Sequence, residues 1–495
     1  MDEVHAVAVF DGGLDNSADP PFFQSEEVTL AKADPDPDVV SHGTAVTAAA
    51  TYGLMVPGSQ LPQPVARLDH YRIHPPDHWP DELALVWILD EIERVAKEQD
   101  YAIINLSYGP DQAVEAGLEP HRWTHVLDRI AYERDVLFVV AAGNNGQESD
   151  QLELNRVQVP ADGANVLSVG ACDSPDGVRW SKAPYSAVGP GRPGARIQPT
   201  GVQFGGVLDE DPFLAMTADG YLASDEGTSF AAPLVTHALT GLAVRFGDHV
   251  TPALLRALAV HFAERHRHHR KRRNEFGYGR FPLTFDEVLD CEPGAVSLVY
   301  QDTIDRDEIL AYEVPIPHGA TGALTVTVTL AVTSPVELTQ VTEYTRSSVE
   351  LTLRPNAHRF TFTRTDPRGS EIAQLADTAR VSELLAGGYR QSHEPAAAKG
   401  FSAYAKPEDL ARDQGKWETL RTYRCKLQPD DVFDPRIDIS YLARRAGALE
   451  VSSDPVDFAL VISVTEDGSD DLYDRVVAAY PSLVAVPAPL ARIKA

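Results

Sequence analysis

Short apolar runs alternate with amphipathic stretches over the first 290 residues of the chain. The runs 7–10 (VAVF) and 136–140 (VLFVV) contain no polar residue, as is typical of strands buried on both faces of a parallel sheet. The stretches 81–99 and 123–132 space their apolar residues as amphipathic helices do. Strands that alternate with helices predict an α/β fold with a doubly wound, mainly parallel sheet. A further strand is predicted over 65–68.

The pattern changes after residue 291, where apolar and polar residues begin to alternate. In 323–330 (ALTVTVTL) the period is two, which predicts a strand with one face buried. Similar runs without regular helices between them predict an antiparallel, jelly-roll-like β-sandwich. These runs are 349–353, 359–363, 436–442 and 457–464. Added helices are predicted over 371–385 and 472–480, and a flexible loop over 393–399.

Length and composition describe a large soluble protein. A chain of 495 residues exceeds what one hydrophobic core usually serves, so we expect two domains, 1–290 and 291–495. The apolar content of 43% and the mean hydropathy of −0.22 are those of a globular protein, and no apolar run is long enough to span a bilayer. The net charge of −30 argues against nucleic acids and membranes as partners, because repulsion opposes their approach.

The cysteines and the first residues predict a cytoplasmic location. Cys172, Cys291 and Cys425 are odd in number and far apart, which argues against a disulfide framework and suits a reducing compartment. The first five residues (MDEVH) are acidic and lead directly into a predicted strand, whereas a secretory signal needs a basic start and an apolar core.

Polar side chains occur where the predicted strands end. Asp11 follows the first strand, Ser107 follows the strand over 103–106, and Asn144 comes shortly after the run 136–140. Open α/β sheets bind their ligands at the carboxyl ends of their strands. His42, at the start of a predicted helix rich in small residues, adds an imidazole to these candidates.

Ser229 lies in a run of small residues, DEGTSFAAP (225–233), which opens an apolar helix predicted over 230–246. The helix N-terminus carries a positive partial charge at the point where nucleophilic attack would develop negative charge. Pro233 is expected in the first turn of this helix, where its missing N–H costs little. Taken alone, the stretch leaves open an ordinary serine cap of a buried helix.

Four segments together resemble the Asp, His, oxyanion-Asn and Ser motifs of the subtilisin-like serine proteases, the subtilases. The order Asp, His, Ser distinguishes that family from chymotrypsin-like enzymes and α/β-hydrolases. The resemblance covers about residues 1–290. Its segments are VFDGG (9–13), HGT (42–44), AGN (142–144) and GTSFAAP (227–233), with INLSYG (104–109) similar to the substrate-binding strand and GYGR (277–280) similar to the turn that closes the catalytic domain.

The resemblance implies a catalytic triad of Asp11, His42 and Ser229, with Asn144 in the oxyanion site. In such a triad the imidazole takes the proton of the serine, the aspartate orients the imidazole, and the amide donates to the oxyanion. An extended peptide is expected to pair with the substrate-binding strand. The substrate-binding residues implied are Ser107, Tyr108, Gly109, Ala142, Gly143 and Gln158.

Some positions depart from the family pattern. Gly12 occupies a position that usually carries Ser or Thr, which removes one hydroxyl donor to the triad aspartate. Gln158 falls near the floor of the primary specificity pocket, often occupied by glycine, so we predict a shallower and more polar pocket. Asp225 and Glu226 are expected to raise the pKa of His42 and the pH optimum if they lie near the ring.

Cofactors are not required for this chemistry, although a structural calcium ion is compatible with it. His70, His74 and His78 are spaced by four, but the prolines at 75 and 76 break the helix that would align them, so they do not predict a metal site. The basic run 261–273 contrasts with the acidic chain. We expect a solvated helix end and loop there, with contact to an anionic partner as the alternative.

The sequence therefore predicts an intracellular serine endopeptidase that acts through an acyl-enzyme and is regulated by a partner. The absence of room for a propeptide before Asp11 is part of this expectation. The whole layout, with its helix near Asp471 and its proline-rich stretch 484–493, also resembles the subtilisin-like component of bacterial anti-phage defence systems, which implies an AAA-type ATPase partner. Two alternatives remain open: a catalytically silent binding or scaffold protein with the same fold, and an esterase with the same triad.

Overall fold

The structure is a computed structural model. It describes residues 6–15, 26–30, 36–75, 79–115, 117–177, 179–217, 219–247, 250–266, 268, 271–286, 289–364, 369–398, 414–445 and 451–483. Helices α1 to α8 span Pro37–Tyr52, Asp81–Glu98, Arg122–Arg134, Thr228–Phe246, Pro252–His261, Arg273–Phe276, Thr378–Ala386 and Leu472–Ala479. Strands β1 to β9 span Ala6–Asp11, Glu26–Thr29, Leu68–Arg72, Tyr101–Leu106, Leu137–Ala141, Leu167–Cys172, Gly201–Phe204, Phe213–Met216 and Leu222–Asp225. Strands β10 to β19 span Ala295–Ile304, Ile309–Glu313, Leu324–Thr333, Ser347–Arg354, Arg359–Thr363, Ser370–Gln374, Arg390–Pro395, Leu420–Leu427, Arg436–Ala443 and Val456–Glu466.

The first half of the chain forms a seven-stranded parallel sheet in the order β2-β3-β1-β4-β5-β6-β7. Alternate residues of each strand enter two cores. Val7 and Val9 pack with helices α1, α4 and α5 on one face, whereas Ala8 and Phe10 pack with α2 and α3 on the other. Since both faces are covered, the strands consist of the continuous apolar runs seen in the sequence. The predicted doubly wound α/β fold is confirmed.

The order of the strands brings the predicted polar residues to one edge. β1 lies between β3 and β4, and β5 follows β4, so the carboxyl ends of β1, β4 and β5 are neighbours. Asp11 ends β1, Ser107 follows β4, and Asn144 comes three residues after β5. The direction in which strands are added reverses at β1, which is where open α/β sheets form ligand crevices.

Two predicted boundaries in this region are wrong. The strand expected over 65–68 is β3, Leu68–Arg72, which pairs with β1 along its whole length. Helix α4 begins at Thr228, so Pro233 lies in its second turn rather than its first. There the proline cannot donate to the carbonyl of Ser229, four residues earlier, and the Ser107 hydroxyl donates to that carbonyl instead at 3.1 Å.

The second half of the chain is rich in antiparallel strands, as predicted. A four-stranded sheet, β10-β19-β12-β17, faces a three-stranded sheet, β11-β18-β13, across one apolar core. We call these two sheets the sandwich. A small sheet, β15-β14-β16, carries helix α7 on one side and forms its own core around Phe362 and Leu384. The predicted division into domains at residue 290 stays a prediction.

Three local predictions for this half are wrong. The helix expected over 371–385 is strand β15 followed by the shorter helix α7, and the loop expected over 393–399 begins as the end of strand β16. Strand β12 is buried on both faces rather than one, because its threonine side, including Thr325 and Thr329, packs against α5 of the parallel-sheet region. None of the described helices is long and apolar enough to cross a membrane.

Candidate active site

Asp11 and His42 form a hydrogen-bonded pair at the carboxyl edge of the parallel sheet. The Nδ1 atom of His42 lies 2.8 Å from Oδ1 of Asp11, and the backbone N–H of Gly12 donates to the same oxygen at 2.7 Å. Asp11 is 2% exposed. His42 lies in the second turn of α1, not at the start of the helix as expected, because α1 begins at Pro37 with Asp36 as its cap. The pair has the geometry that orients an imidazole for proton transfer.

The environment of His42 favours its protonated form. The Asp11 carboxylate raises the pKa of His42 above the usual 6.5, against the opposing effect of burial, and the charge of Asp225 raises it further. Glu226 is not among the main causes of this shift; its carboxylate accepts a hydrogen bond from the backbone N–H of Leu208. The expectation of a raised pKa therefore holds for Asp225 and not for Glu226.

Ser229 lies in the first turn of α4, between residues that contact the other members of the site. Phe230 places its ring 5.7 Å from the His42 ring, and Thr228 is hydrogen-bonded to Asn144. Ser229 itself is half-buried. Among the described residues no hydrogen bond joins His42 to the Ser229 hydroxyl. Catalytic hydrogen bonds are often long without substrate and tighten in the substrate complex.

Asn144 is held by its oxygen, so that its amide nitrogen is left to donate. The backbone N–H and the hydroxyl of Thr228 both donate to Oδ1 of Asn144 at 2.9 Å. The Asn144 side chain is exposed, and its nitrogen lies 3.6 Å from where a β-carbon on Gly227 would stand. This orientation presents the NH2 group beside the N-terminus of α4, the position expected of an oxyanion donor. Sequence analysis did not identify Thr228 as the residue that anchors it.

A cleft of about 610 Å³ opens beside Ser229. Its walls are the segment after β4, which includes Ser107, and the segment after β5, which includes Asn144. The hydrogen bonds behind the first wall continue inward, because Asn105 donates to Ser107 and accepts from Thr236 of α4. The cleft therefore has a wall that is fixed to the helix bearing Ser229. Of the predicted substrate-binding residues, Ser107, Tyr108, Gly109, Gly143 and Gln158 line it.

Ala142 does not line the cleft. Its side chain is fully buried against Val114 and Val157, and its neighbour Ala141 lines the cleft instead. The prediction was one residue out of register, which reverses the face on which a side chain lies in extended chain.

The side chain of Gln158 connects the two walls of the cleft. Its side chain lies against Gly143, where a β-carbon would be only 2.3 Å from the Gln158 Oε1 atom, and its amide nitrogen donates to Asp111 on the opposite wall. Gly143 also has φ of +111°, a conformation that favours glycine. Asp111 and Glu148, which sequence analysis did not identify, are exposed carboxylates of the lining.

Metal ligands are not grouped in the described part of the chain: no set of three or more His, Cys, Asp or Glu side chains there could hold an ion. His70 is fully buried, and His78 lies outside the described residues. Structural calcium stays a prediction. In the basic run, Arg272 pairs with Glu275, while residues 267, 269 and 270 lie outside the described residues, as does the proline-rich stretch 484–493.

The fold and the grouping of carboxylate, imidazole, hydroxyl and amide define the class as an α/β protein of the serine-protease type. The model of the family described as Peptidase_S8, the subtilase family, matches residues 7–279, which is more than half of the chain. The chain belongs to the subtilase family of serine proteases.

One curated relative and several solved structures are similar to the chain. The "Uncharacterized protein y4bN" of Sinorhizobium fredii (strain NBRC 101917 / NGR234) is 28% identical over 311 residues, covering 51% of this chain and 71% of that protein. The self-cleaved protease domain of PatA is 25% identical, with 56% of this chain and 93% of that chain covered and a TM-score of 0.42. The prenylagaramide maturation protease PagA is 23% identical, with coverages of 57% and 92% and a TM-score of 0.42. The epidermin leader peptide processing serine protease EpiP of Staphylococcus aureus is 18% identical, with coverages of 57% and 75% and a TM-score of 0.43.

Proposed function

We propose that the chain is a serine endopeptidase that hydrolyses peptide bonds through Asp11, His42 and Ser229. The observation that carries the proposal is the convergence of three elements at the N-terminus of α4: the Asp11–His42 pair at 2.8 Å, the ring contact between His42 and Phe230, and the anchored Asn144 amide. This arrangement supports the roles that a serine-protease mechanism assigns to these groups.

In the first step the Ser229 oxygen attacks the scissile carbonyl while His42 takes the serine proton. The negative charge that forms on the carbonyl oxygen is stabilised by the Asn144 amide and the backbone N–H of Ser229, and one such donor contributes about 3–4 kcal/mol. His42 then returns the proton to the leaving amine, which breaks the peptide bond and leaves an acyl-enzyme. Water hydrolyses this ester by the same proton transfers in reverse, and Asp11 stabilises each imidazolium.

The cleft supports an extended peptide with a positively charged side chain before the cleaved bond. Ser107 to Gly109 border the cleft directly after β4 ends, which suits pairing with an added strand. The amide nitrogen of Gln158 is occupied by its bond to Asp111, and the two carboxylates of the lining, Asp111 and Glu148, are exposed to an entering side chain. No lysine or arginine is found in the lining among the described residues. Acceptors and uncompensated negative charge favour lysine or arginine over a large aromatic side chain.

The proposal is tested with a fluorophosphonate probe, which reacts only with an activated serine. We expect the intact protein to be labelled at Ser229, and labelling to be lost after heating and in Ser229→Ala. Cleavage of an extended peptide, with little turnover of a simple ester, separates a peptidase from an esterase. A folded protein that the probe does not label, alone or with candidate partner proteins such as an AAA-type ATPase, would identify a silent scaffold instead.

A further inference from the structure

Besides the residues that carry the chemistry, the site contains a buried histidine that contacts both elements of the Asp11–His42 pair. His70 lies on β3, next to β1, and is 0% exposed. The backbone N–H of Gly13, two residues after Asp11, donates to Nε2 of His70 at 3.0 Å. Its Nδ1 atom lies 2.8 Å from the hydroxyl of Thr47, on the same helix as His42.

These two contacts define the state of the His70 ring. A backbone N–H can only donate, so Nε2 must be an acceptor and the proton of the neutral ring lies on Nδ1, facing the Thr47 hydroxyl. Burial lowers the pKa of His70 to about 4, against the charges of Asp11 and Glu27, which raise it; Arg72 lowers it further. The ring therefore keeps both hydrogen bonds at neutral pH.

The aspartate needs such support because few groups hold its carboxylate. Both hydrogen bonds to Asp11, from Gly12 and His42, end on Oδ1, while the buried Oδ2 has no hydrogen-bond partner among the described residues. A serine or threonine at position 12 would not fit, since a β-carbon there would lie 2.1 Å from Val39 Cγ1 and 2.3 Å from its carbonyl oxygen. The missing hydroxyl donor thus cannot be supplied from position 12.

The turn after Asp11 and helix α1 are also in direct backbone contact. A β-carbon on Gly43 would lie 2.3 Å from the carbonyl oxygen of Gly13. The backbones therefore approach with no side chain between them at Gly43, and a shift of one element along the other would change the separation of Asp11 and His42. His70 bonds to the turn through Gly13 and to the helix through Thr47, and so opposes this shift.

We propose that His70 is a positioning residue of the active site, which holds the Asp11 turn and the His42 helix in register. The proposal rests on the proposed function, because it assigns His70 a part in setting the geometry of that triad. His70 does not touch substrate and takes no proton during the reaction. His70 connects the turn after Asp11 to helix α1, and Asp11 itself lacks a hydroxyl donor to its carboxylate.

The test compares His70→Ala and Thr47→Val with Tyr71→Phe. Tyr71 is the matched control, because it is the next residue of β3, is buried, and bonds through its hydroxyl to Tyr101 away from the site. We expect kcat per probe-titrated active site to fall roughly 10- to 100-fold in both test variants, with KM nearly unchanged, since small misplacements of catalytic groups have effects of this size. Thr47→Ser retains the hydroxyl and should restore kcat.

A second readout does not depend on turnover. Asp11 and Asp225 are the charges that raise the pKa of His42, so loosening Asp11 should lower that pKa, as followed by NMR titration of His42 in a Ser229→Ala background. A kcat and a His42 pKa equal to those of Tyr71→Phe would overturn the proposal. If His70→Ala does not fold, Thr47→Val decides. If the unmodified protein is not labelled by the probe, the proposed function fails while the NMR comparison still tests the positioning role of His70.

Discussion

Polar side chains have different roles in two parts of the molecule, the cleft beside Ser229 and the contact between the parallel-sheet region and the sandwich. At the contact they are buried and bonded. Arg256 of α5 is 1% exposed and donates to the carbonyl of Ala164, the hydroxyl of Thr419 and the carbonyl of Val332. In the cleft, Asn144 is exposed, and its amide NH2 group faces solvent.

A second buried group at the contact is also bonded across it. The carboxylate of Asp128 accepts from the backbone N–H groups of Ala164 and Asn165 and from the hydroxyl of Tyr344, which comes from the sandwich side. A buried polar group is costly unless it is bonded, whereas an exposed one is satisfied by water until a ligand replaces it. The comparison indicates that side chains of the sandwich supply hydrogen bonds to buried groups of the parallel-sheet region, while exposed polar groups of the cleft stay open to solvent.

The largest effect is expected from Arg256→Ala. Oxygens on both sides of the contact lose their donor and a cavity forms, so the free energy of unfolding should fall by roughly 3–5 kcal/mol. Urea unfolding followed by circular dichroism measures the loss. The cleavage preference of the protein that remains folded should not change, because Arg256 does not line the cleft.

The control is Arg134→Ala, which removes an arginine paired with Asp100 at the surface. Exposed ion pairs contribute about 0–1 kcal/mol, so its unfolding midpoint should stay close to that of the unmodified protein. An Arg256→Ala protein that unfolds at the same urea concentration as this control would show that the contact does not stabilise the fold. Altered cleavage preference would show that the two polar sets are coupled.

A smaller effect is expected from Gln158→Ala, which acts on the cleft alone. Removing the side chain that crosses from Gly143 to Asp111 deepens the pocket. We expect kcat/KM for peptides with phenylalanine before the cleaved bond to rise roughly tenfold relative to lysine, the size typical of one added apolar group in a pocket. A peptide library measures both preferences, and the unfolding midpoint should change little.

Asp111→Asn, compared with Glu115→Gln, separates the effect of the negative charge in the cleft from the effect of the depth of the pocket. Both remove one exposed carboxylate, but only Asp111 lines the cleft. The preference of the unmodified protein for lysine or arginine should weaken in Asp111→Asn and persist in Glu115→Gln. A strong preference of the unmodified protein for large aromatic residues at this position would contradict the proposed pocket.

The sequence was sufficient to predict features that depend on a single strand or a single motif. The apolar runs of β1 and β5 predicted a sheet buried on both faces, and Asp11 and Asn144 stand at its edge as expected. The Asp11–His42 pair was implied by the resemblance of their two segments to family motifs, and the two side chains are hydrogen-bonded. His42 was displaced only within its helix.

Sequence reasoning failed where a distant segment decides. The alternation in β12 correctly predicted a face of threonine side chains. It did not predict that this face is covered by α5, where His261 bonds to Thr329 and to Ser463 of β19. The residues around Asn144 and Asp11 show the same limit. Thr228 and His70 contact residues far away in the chain. No sequence pattern around a single threonine or histidine indicates which distant residue it will contact.

The smallest effect is expected from Asp225→Asn, which changes a single charge near His42. This variant removes a charge that raises the pKa of His42 but leaves an acceptor for the backbone N–H of Glu226. His42 must be neutral to take the Ser229 proton, and a raised pKa means that the ring becomes neutral only at higher pH. In Asp225→Asn the acidic limb of kcat/KM should therefore move to lower pH, with the plateau unchanged. Glu226→Gln is the control, because the Glu226 carboxylate is bonded to the backbone N–H of Leu208 and is not among the main causes of the raised pKa of His42. The difference should shrink in high salt, which screens exposed charges. A limb that stays in place at low salt in Asp225→Asn would mean that the Asp11 charge alone sets the pKa of His42.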